Sequence, residues 1–98
     1  MPKSESEPTA EVRSAFFERR RLRRIRMIVE LTLNLISSDE TQSHREARCL
    51  VKCARKAILD LHPTFGDRYE RIVRPHFDAV LRRRWPFDEP IHPEELVN

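Results

Sequence analysis

One glycine, Gly66, is present among 98 residues, and this scarcity constrains the fold more than any other feature of the sequence. Folds built from many short strands need many tight turns, and such turns rely on glycine. The same scarcity excludes the glycine-rich phosphate loops of nucleotide-binding proteins. The sequence therefore predicts an all-α protein, with three main helices in a small antiparallel, bundle-like domain.

Proline and charge divide the chain into three parts. We expect a disordered arm at residues 1–8, a helical domain at residues 9–85 and an acidic, proline-containing tail at residues 86–98. Residues 10–84 carry a net charge of +8, although the whole chain carries only +3. A basic surface of that size favours nucleic acid, anionic lipid or an acidic protein as partner. The excess of arginine over lysine is also what a GC-rich genome would produce.

The first helix is predicted to be the longest, from about Ala10 to Ile36, with Thr9 as its N-cap. One apolar stripe follows its length, formed by Ala15, Leu22, Ile25, Val29, Leu33 and Ile36. After Met27 the apolar arc widens to roughly 200°, whereas a helix that faces one neighbour needs about 100°. We therefore expect the second half to be covered on two sides. The candidates for a protein interface there are Ile28, Leu31 and Leu35.

A heptad-like spacing in this helix leaves two arrangements open. Leu22, Val29 and Ile36 are seven residues apart, and Ile25 and Thr32 fill the complementary positions. The pattern spans about two heptads, and a coiled coil is expected to show three or four. Either helix 1 pairs with helix 1 of a second chain, or helices 2 and 3 cover it within one chain. Because a domain this small is marginal alone, a protein partner or second copy is expected.

An arginine cluster occupies the first half of the same helix. Six of eight consecutive residues are arginine, namely Arg19, Arg20, Arg21, Arg23, Arg24 and Arg26. Guanidinium groups pair bidentately with phosphates, so these residues are candidates for binding a polyanion. Six phosphate contacts on DNA would give a slope of log affinity against log salt near −5, from about −0.9 per phosphate. No residue that reads bases accompanies them, so binding would follow the nucleic-acid backbone.

The alternative to polyanion binding is that the arginines only stabilise their own helices. Glu18 and Glu30 stand at helical spacing from several of them, as Glu30 does from Arg26, and ion pairs on a solvated helix would follow. A second basic run ends the third helix, where cations complement the helix dipole. Its members, Arg82, Arg83 and Arg84, are further polyanion-binding candidates if the two runs meet in the fold.

Capping signals place the other two helices. Ser43 and Glu46 form an S-x-x-E capping box, which predicts helix 2 over residues 44–61. Its predicted inner face holds Ala47, Leu50, Val51, Cys53, Ala54, Ala57, Ile58 and Leu61. Thr64 and Asp67 suggest a second cap, with helix 3 starting near Phe65. Its predicted inner face holds Tyr69, Val73, His76, Phe77 and Val80, with Leu81 beside them.

A proline and two aromatic residues mark the second half of helix 3 and the residues that follow it. Pro75 interrupts the helical pattern, and we expect a kink or short break there. Trp85 and Phe87 follow the helix and are expected to fold back onto the core.

Several classes of function find no support in the sequence. Cys49 and Cys53 lack a second ligand pair, so we expect them to pack between helices rather than bind metal. No nucleophile has a base at a recognisable spacing, so no enzymatic activity, cofactor or small-molecule substrate is expected. The longest uncharged run after Glu30 has eight residues, too few for the roughly 20 that span a membrane. We expect a cytoplasmic, non-enzymatic interaction module, with nucleic-acid backbone binding as the alternative.

Overall fold

The computed structural model describes residues 9–87, which contain helices and no strand. The predicted all-α class with three main helices is confirmed. The elements in chain order are α1 (Ala10–Ser38), α2 (His44–Leu61), a 3₁₀ turn (Pro63–Phe65), α3 (Gly66–Arg68), a π-helical turn (Tyr69–Val73) and α4 (Arg74–Arg84). The last three elements are contiguous, and we call them together the third helix. The predicted arm at residues 1–8 lies outside the described residues, as do residues 88–98 of the tail predicted at residues 86–98.

The three helices run up, down and up. The end of α2 meets the first half of α1, where His62 contacts Glu18. The end of α4 meets the opposite end of α1, where Arg84 contacts the carbonyl of Ile36. Hence α2 is antiparallel to α1, and the third helix returns parallel to α1.

The caps of α1 and α2 are those that the sequence predicts. The Thr9 hydroxyl accepts a hydrogen bond from the Val12 amide at 3.1 Å. In the capping box, Ser43 Oγ accepts from the Glu46 amide at 3.1 Å, and the Glu46 carboxylate accepts from the Ser43 amide at 3.0 Å. Both interactions satisfy amides that a helix start leaves without a partner.

The predicted cap of the third helix is wrong. Thr64 lies inside the 3₁₀ turn, and no side chain caps α3. Pro63 fixes φ in the helical range, so the backbone is already turning before a cap residue at position 64 could adopt an extended conformation. The Thr64 hydroxyl instead bonds to His62 Nδ1 at 3.2 Å.

Pro75 lies in the first turn of α4 and follows a widened turn rather than a break. The Arg74 amide donates to the carbonyl of Tyr69, five residues earlier, and Val73 and Arg74 both keep helical dihedral angles. A proline has no amide hydrogen, and its ring collides with the carbonyl four residues before it in a regular α-helix. The π-helical turn admits the proline while the helical path continues.

The core lies between the three helices and contains the described side chains that are buried. These are Ile25, Thr32 and Ile36 of α1, Ala47, Val51, Ala54 and Ile58 of α2, and His62, Phe65, Tyr69, Val73, Phe77, Val80 and Leu81 of the following segment. Ala15 was predicted to join the stripe of α1 but is exposed, because the chain has turned at His62 before α2 would reach that level.

Three further expectations about burial differ from the structure. Cys53 is exposed, because the buried stripe of α2 is narrower than predicted. His76 is exposed, although its neighbour Phe77 is fully buried. Phe87 is also exposed, whereas Trp85 does pack against the core and stacks on the His44 ring at 5.1 Å between ring centroids.

Candidate functional site

In the second half of α1, three large apolar side chains face away from the rest of the described structure. Met27 is 67% exposed, Leu31 60% and Leu35 42%. They are spaced four residues apart, so they follow one another along one side of the helix. We call Met27, Leu31 and Leu35 the outer apolar face.

The outer apolar face contains two of the three predicted interface residues. Leu31 and Leu35 belong to it, whereas Ile28 is half-buried and packs against the core. The expectation that the second half of α1 is covered on two sides is wrong within this chain. The helices cover one side only, because α2 and the third helix lie together on the side of Ile25 and Ile36.

The heptad-like seam belongs to the chain's own core. Ile25, Thr32 and Ile36 are buried, and Leu22 and Val29 pack against the same core. The Thr32 hydroxyl donates to the carbonyl of Ile28 at 2.7 Å, which satisfies this buried polar group without a partner chain. Of the two arrangements that the sequence left open, the structure therefore uses this seam for packing within one chain.

The arginine cluster of α1 is exposed along its length. Arg21 pairs with Glu18 at 2.8 Å, and Arg26 pairs with Glu30 at 3.0 Å, as expected for helical spacing. Within residues 9–87, the other four have no carboxylate within 4.0 Å, and these are Arg19, Arg20, Arg23 and Arg24. Two of the six candidates are thus engaged in ion pairs with their own helix, and four present their guanidinium groups to solvent.

Arg84 has a structural role that the sequence did not reveal. Its two terminal nitrogens each donate at 2.8 Å, one to the carbonyl of Ile36 and the other to that of Asp39. Its guanidinium also lies 4.5 Å from the centroid of the Trp85 ring. These contacts satisfy carbonyls at the end of α1, which a helix leaves without intrahelical partners. Arg84 is half-buried, whereas Arg82 and Arg83 are exposed.

The two basic runs do not form one surface. Arg84 is anchored beside Ile36, ten residues after the last arginine of the cluster, Arg26. At about 1.5 Å per residue, Arg84 lies roughly 15 Å along α1 from Arg26.

A polar cluster joins the first half of α1 to the end of α2, and sequence reasoning missed it. The buried His62 places Nε2 2.8 Å from the Glu18 carboxylate, and Arg68 lies 3.9 Å from the same carboxylate. A carboxylate only accepts, so Nε2 donates to Glu18, and Nδ1 on the other side of the ring lies 3.2 Å from the Thr64 hydroxyl. The His62 hydrogen bond is the main cause that lowers the pKa of Glu18.

A sequence signal for this cluster exists. At 100° per residue, Glu18 falls between Ile25 and Val29 on the core side of α1, where a carboxylate needs a partner. His62 fills that need from the end of α2.

The structure also tests the expectations about metal and membrane. Cys49 and Cys53 are both exposed free thiols, so the expectation that they pack between helices is wrong. The buried stripe of α2 runs through Ala47, Val51 and Ala54 and leaves them outside. Among residues 9–87, no three potential ligands of the types His, Cys, Asp and Glu are grouped closely enough to hold a metal ion. No helix in the same range is long and apolar enough to span a membrane.

Part of the chain is similar to a known protein of much greater length. No model of a protein family matches the chain, and no solved structure matches it. A curated sequence from Bos taurus, named uncharacterized protein C12orf50 homolog, is 27% identical over 55 residues. The match covers 56% of this chain and 12% of that protein, so this chain corresponds to a small part of the relative's length.

Proposed function

We propose that this chain is a non-enzymatic helical interaction module that docks a protein through the outer apolar face. The observation that carries the proposal is the exposure of Met27, Leu31 and Leu35 on one side of the longest helix. An apolar patch rimmed by polar residues marks an interaction site more often than a single exposed leucine does. A helix with such a face fits the recognition of one helix by another.

The packing around the outer apolar face supports a role in docking, because it keeps this part of α1 in one conformation. Ile25, Thr32 and Ile36 lie on the adjoining side of the same turns and are buried. The backbone that presents the face is therefore held in place by the core. A preorganised surface loses little conformational entropy on binding, which favours affinity.

A cytoplasmic location is part of this proposal. The two free thiols, Cys49 and Cys53, are exposed and unpaired as disulfides. Such thiols are kept reduced in the cytosol, whereas oxidising compartments favour disulfides.

The proposal is tested by placing a charge on the outer apolar face. Leu31→Glu and Leu35→Glu should lower the mass measured by size-exclusion chromatography with light scattering, because a carboxylate would be desolvated in the contact. Ile72→Glu is the matched control, since Ile72 is 54% exposed on another element and should leave the mass unchanged. Circular dichroism establishes that each variant is folded. Folded Leu31→Glu and Leu35→Glu variants that keep a wild-type mass larger than that of the monomer contradict the proposal.

Nucleic-acid backbone binding is the second candidate function, and it is supported by a different observation. Four exposed arginines lack an ion pair within residues 9–87, as described above. Four phosphate contacts would give a salt slope of about −3.6 on duplex DNA, from about −0.9 per contact. This slope is shallower than the one expected from all six arginines.

Nucleic-acid backbone binding is tested with variants of the arginine cluster. Replacing Arg20, Arg23 and Arg24 by glutamine should abolish binding to a fluorescent DNA duplex and flatten the salt dependence. A control variant with Arg45, Lys56 and Arg71 replaced by glutamine removes the same charge at other exposed positions. Equal loss of binding in both variants would show that net charge, rather than the arginine cluster, is responsible.

A further inference from the structure

Two aromatic rings are exposed in the first two turns of α1, outside the packed part of the fold. Phe16 is 50% exposed and Phe17 54%. The end of α2 reaches α1 at the level of Glu18, where His62 contacts it, so no other described helix covers the two rings. Apolar surface left in water is unfavourable, and neighbouring exposed aromatic side chains on an ordered helix indicate an interaction site.

Arginine side chains surround both rings. Residues three and four apart are neighbours on a helix, so Arg13 and Arg20 are each neighbours of both Phe16 and Phe17. Both arginines are exposed, and neither has a carboxylate within 4.0 Å among residues 9–87. Arg13, Phe17, Arg20 and Arg24 line one shallow depression. We call these four residues, together with Phe16, the aromatic–arginine surface.

The ring faces of Phe16 and Phe17 are open. Elsewhere in the fold an arginine covers a ring, as Arg68 does at 4.6 Å from the centroid of Phe65. Within the described part of the chain, no guanidinium lies over Phe16 or Phe17, although arginines are their neighbours. The two rings contact each other edge to face, with centroids 6.0 Å apart and planes at 77°. Each ring therefore leaves at least one face open to a flat ligand.

We propose that the aromatic–arginine surface binds single-stranded nucleic acid, with bases stacked on Phe16 and Phe17 and phosphates paired with the arginines. The inference rests on the second candidate function, nucleic-acid backbone binding, and specifies its ligand. Binding of single strands without sequence preference combines a basic surface that follows the backbone with aromatic rings on which bases stack. In a duplex the bases are already stacked on one another, whereas unpaired bases are free to stack on protein rings.

The order of rings and charges around the helix favours a nucleic-acid strand over a membrane surface. At about 100° per residue, Phe16 and Phe17 lie about 100° apart, and Arg13 and Arg20 fall between them. A helix that lies on a membrane surface gathers its apolar side chains on one continuous face. A nucleic-acid strand offers apolar base faces and anionic phosphates in every nucleotide, and it therefore matches two rings with cations between them.

The aromatic–arginine surface has the length of a short strand. Arg13 and Arg24 are three turns apart, which is about 16 Å along α1. Stacked nucleotides of one strand rise about 3.4 Å each, so about five of them match this length. We therefore expect a site for a short stretch of unpaired nucleotides. Little preference among bases is expected, because every base offers a face for stacking.

Ring variants give the first test, by fluorescence anisotropy of the full chain with short oligo(dT), short oligo(U) and a DNA duplex of equal length. Replacing both Phe16 and Phe17 by alanine should weaken binding to single strands by roughly twentyfold or more, at about fivefold or more for each lost stack. Duplex binding should stay unchanged. The tighter of the two oligonucleotides identifies DNA or RNA as the ligand.

Two controls accompany the alanine variant. Replacing Phe16 and Phe17 by leucine keeps apolar side chains but removes the rings, so it should lose single-strand binding as the alanine variant does. Phe87→Ala removes an exposed phenylalanine at the other end of the described chain and should leave binding unchanged. Circular dichroism establishes that each variant is folded. Leucine variants that bind single strands like the wild type contradict stacking.

Salt dependence separates the rings from the arginines. Stacking releases no counterions, so the ring variants should lower the affinity at every salt concentration and keep the slope of log affinity against log salt. The variant with Arg20, Arg23 and Arg24 replaced by glutamine should flatten this slope. Ring variants that flatten the slope to the same extent contradict stacking, because the rings would then act only through the arginines.

The outcomes separate this inference from the function on which it rests. Single-strand binding that ignores the ring variants overturns the inference and leaves backbone binding in place. A chain that binds neither single strands nor the duplex contradicts both. Ring-dependent binding to vesicles of phosphatidylserine and phosphatidylcholine, without binding to either oligonucleotide, overturns the inference in favour of an anionic membrane surface.

Discussion

The two ends of α1 are held by different kinds of interaction. At the N-terminal end, the Thr9 hydroxyl caps a segment whose residues 10–17 are all exposed, including Phe16 and Phe17. At the C-terminal end, Ile36 is fully buried, and Arg84 donates to two backbone carbonyls from 45 or more residues away in sequence. One end depends on its own side chains, whereas the other depends on the tertiary structure.

The difference shows what keeps a long helix folded. An isolated helix of about 12–15 residues is marginal in water, and most helical stability in proteins comes from packing of one face. The first two turns of α1, residues 10–17, have no such packing. The hydrogen bond between Glu18 and His62 follows directly after them and ties α1 to the end of α2. We therefore expect the free energy of local opening to rise along α1 from Ala10 toward Ile36.

The largest expected effect comes from the packed end. Ile36→Ala should lower the free energy of unfolding of the whole domain by about 2–5 kcal/mol, because it leaves a cavity at a fully buried position. Val12→Ala in the exposed segment should change it by less than about 0.5 kcal/mol. Urea unfolding followed by circular dichroism measures both. Similar losses in the two variants would remove the distinction between the ends.

The second effect is the loss of the tertiary cap. Arg84→Gln should destabilise the domain by about 1–3 kcal/mol, because carbonyls at the end of α1 lose their donors in a partly buried setting. Arg83→Gln, one residue earlier and exposed, is the matched control. Hydrogen exchange should show faster opening at the end of α1 in Arg84→Gln only. An unchanged exchange pattern would indicate that water molecules replace the hydrogen bonds of the guanidinium without a loss of stability at the end of α1.

The third effect is the loss of the local cap. Thr9→Ala should destabilise the first turn of α1 by about 1 kcal/mol. Because that segment opens separately from the core, hydrogen exchange of amides 12–17 should accelerate while the midpoint of global unfolding stays almost constant. A large shift of the global midpoint would show that the exposed segment unfolds together with the core.

The smallest expected effect concerns the contact where the exposed segment meets the rest of the fold. Folding lowers the pKa of Glu18 from its usual value of 4.5, mainly through the hydrogen bond with His62. A lowered pKa stabilises the folded state above pH 4.5, and this contribution is lost as the pH falls through the folded-state pKa. Thermal unfolding between pH 6 and pH 3 should therefore show a smaller decline in Glu18→Gln than in the wild type. Parallel declines would mean that this contact does not link α1 to α2 energetically.

Much of the fold could be predicted from local signals. The bounds of α2, the caps at Thr9 and Ser43 and the ion pair between Arg26 and Glu30 each depend on residues within one or two turns. The cap at Thr64 was predicted wrongly because Pro63 starts a 3₁₀ turn first. The exposed positions of Cys53 and His76 were missed because helical periodicity gives the direction of a face but not how much of it a neighbouring helix will cover.

The sequence by itself determined the helical class, the caps at Thr9 and Ser43 and the presence of a wide apolar arc after Met27. Only the tertiary structure decided which side of that arc became core and which became the outer apolar face. It also decided that His62 meets Glu18 and that Arg84 reaches the end of α1. The physical reason is range: capping and helical periodicity act within a few residues, whereas these contacts join residues 44 to 48 positions apart.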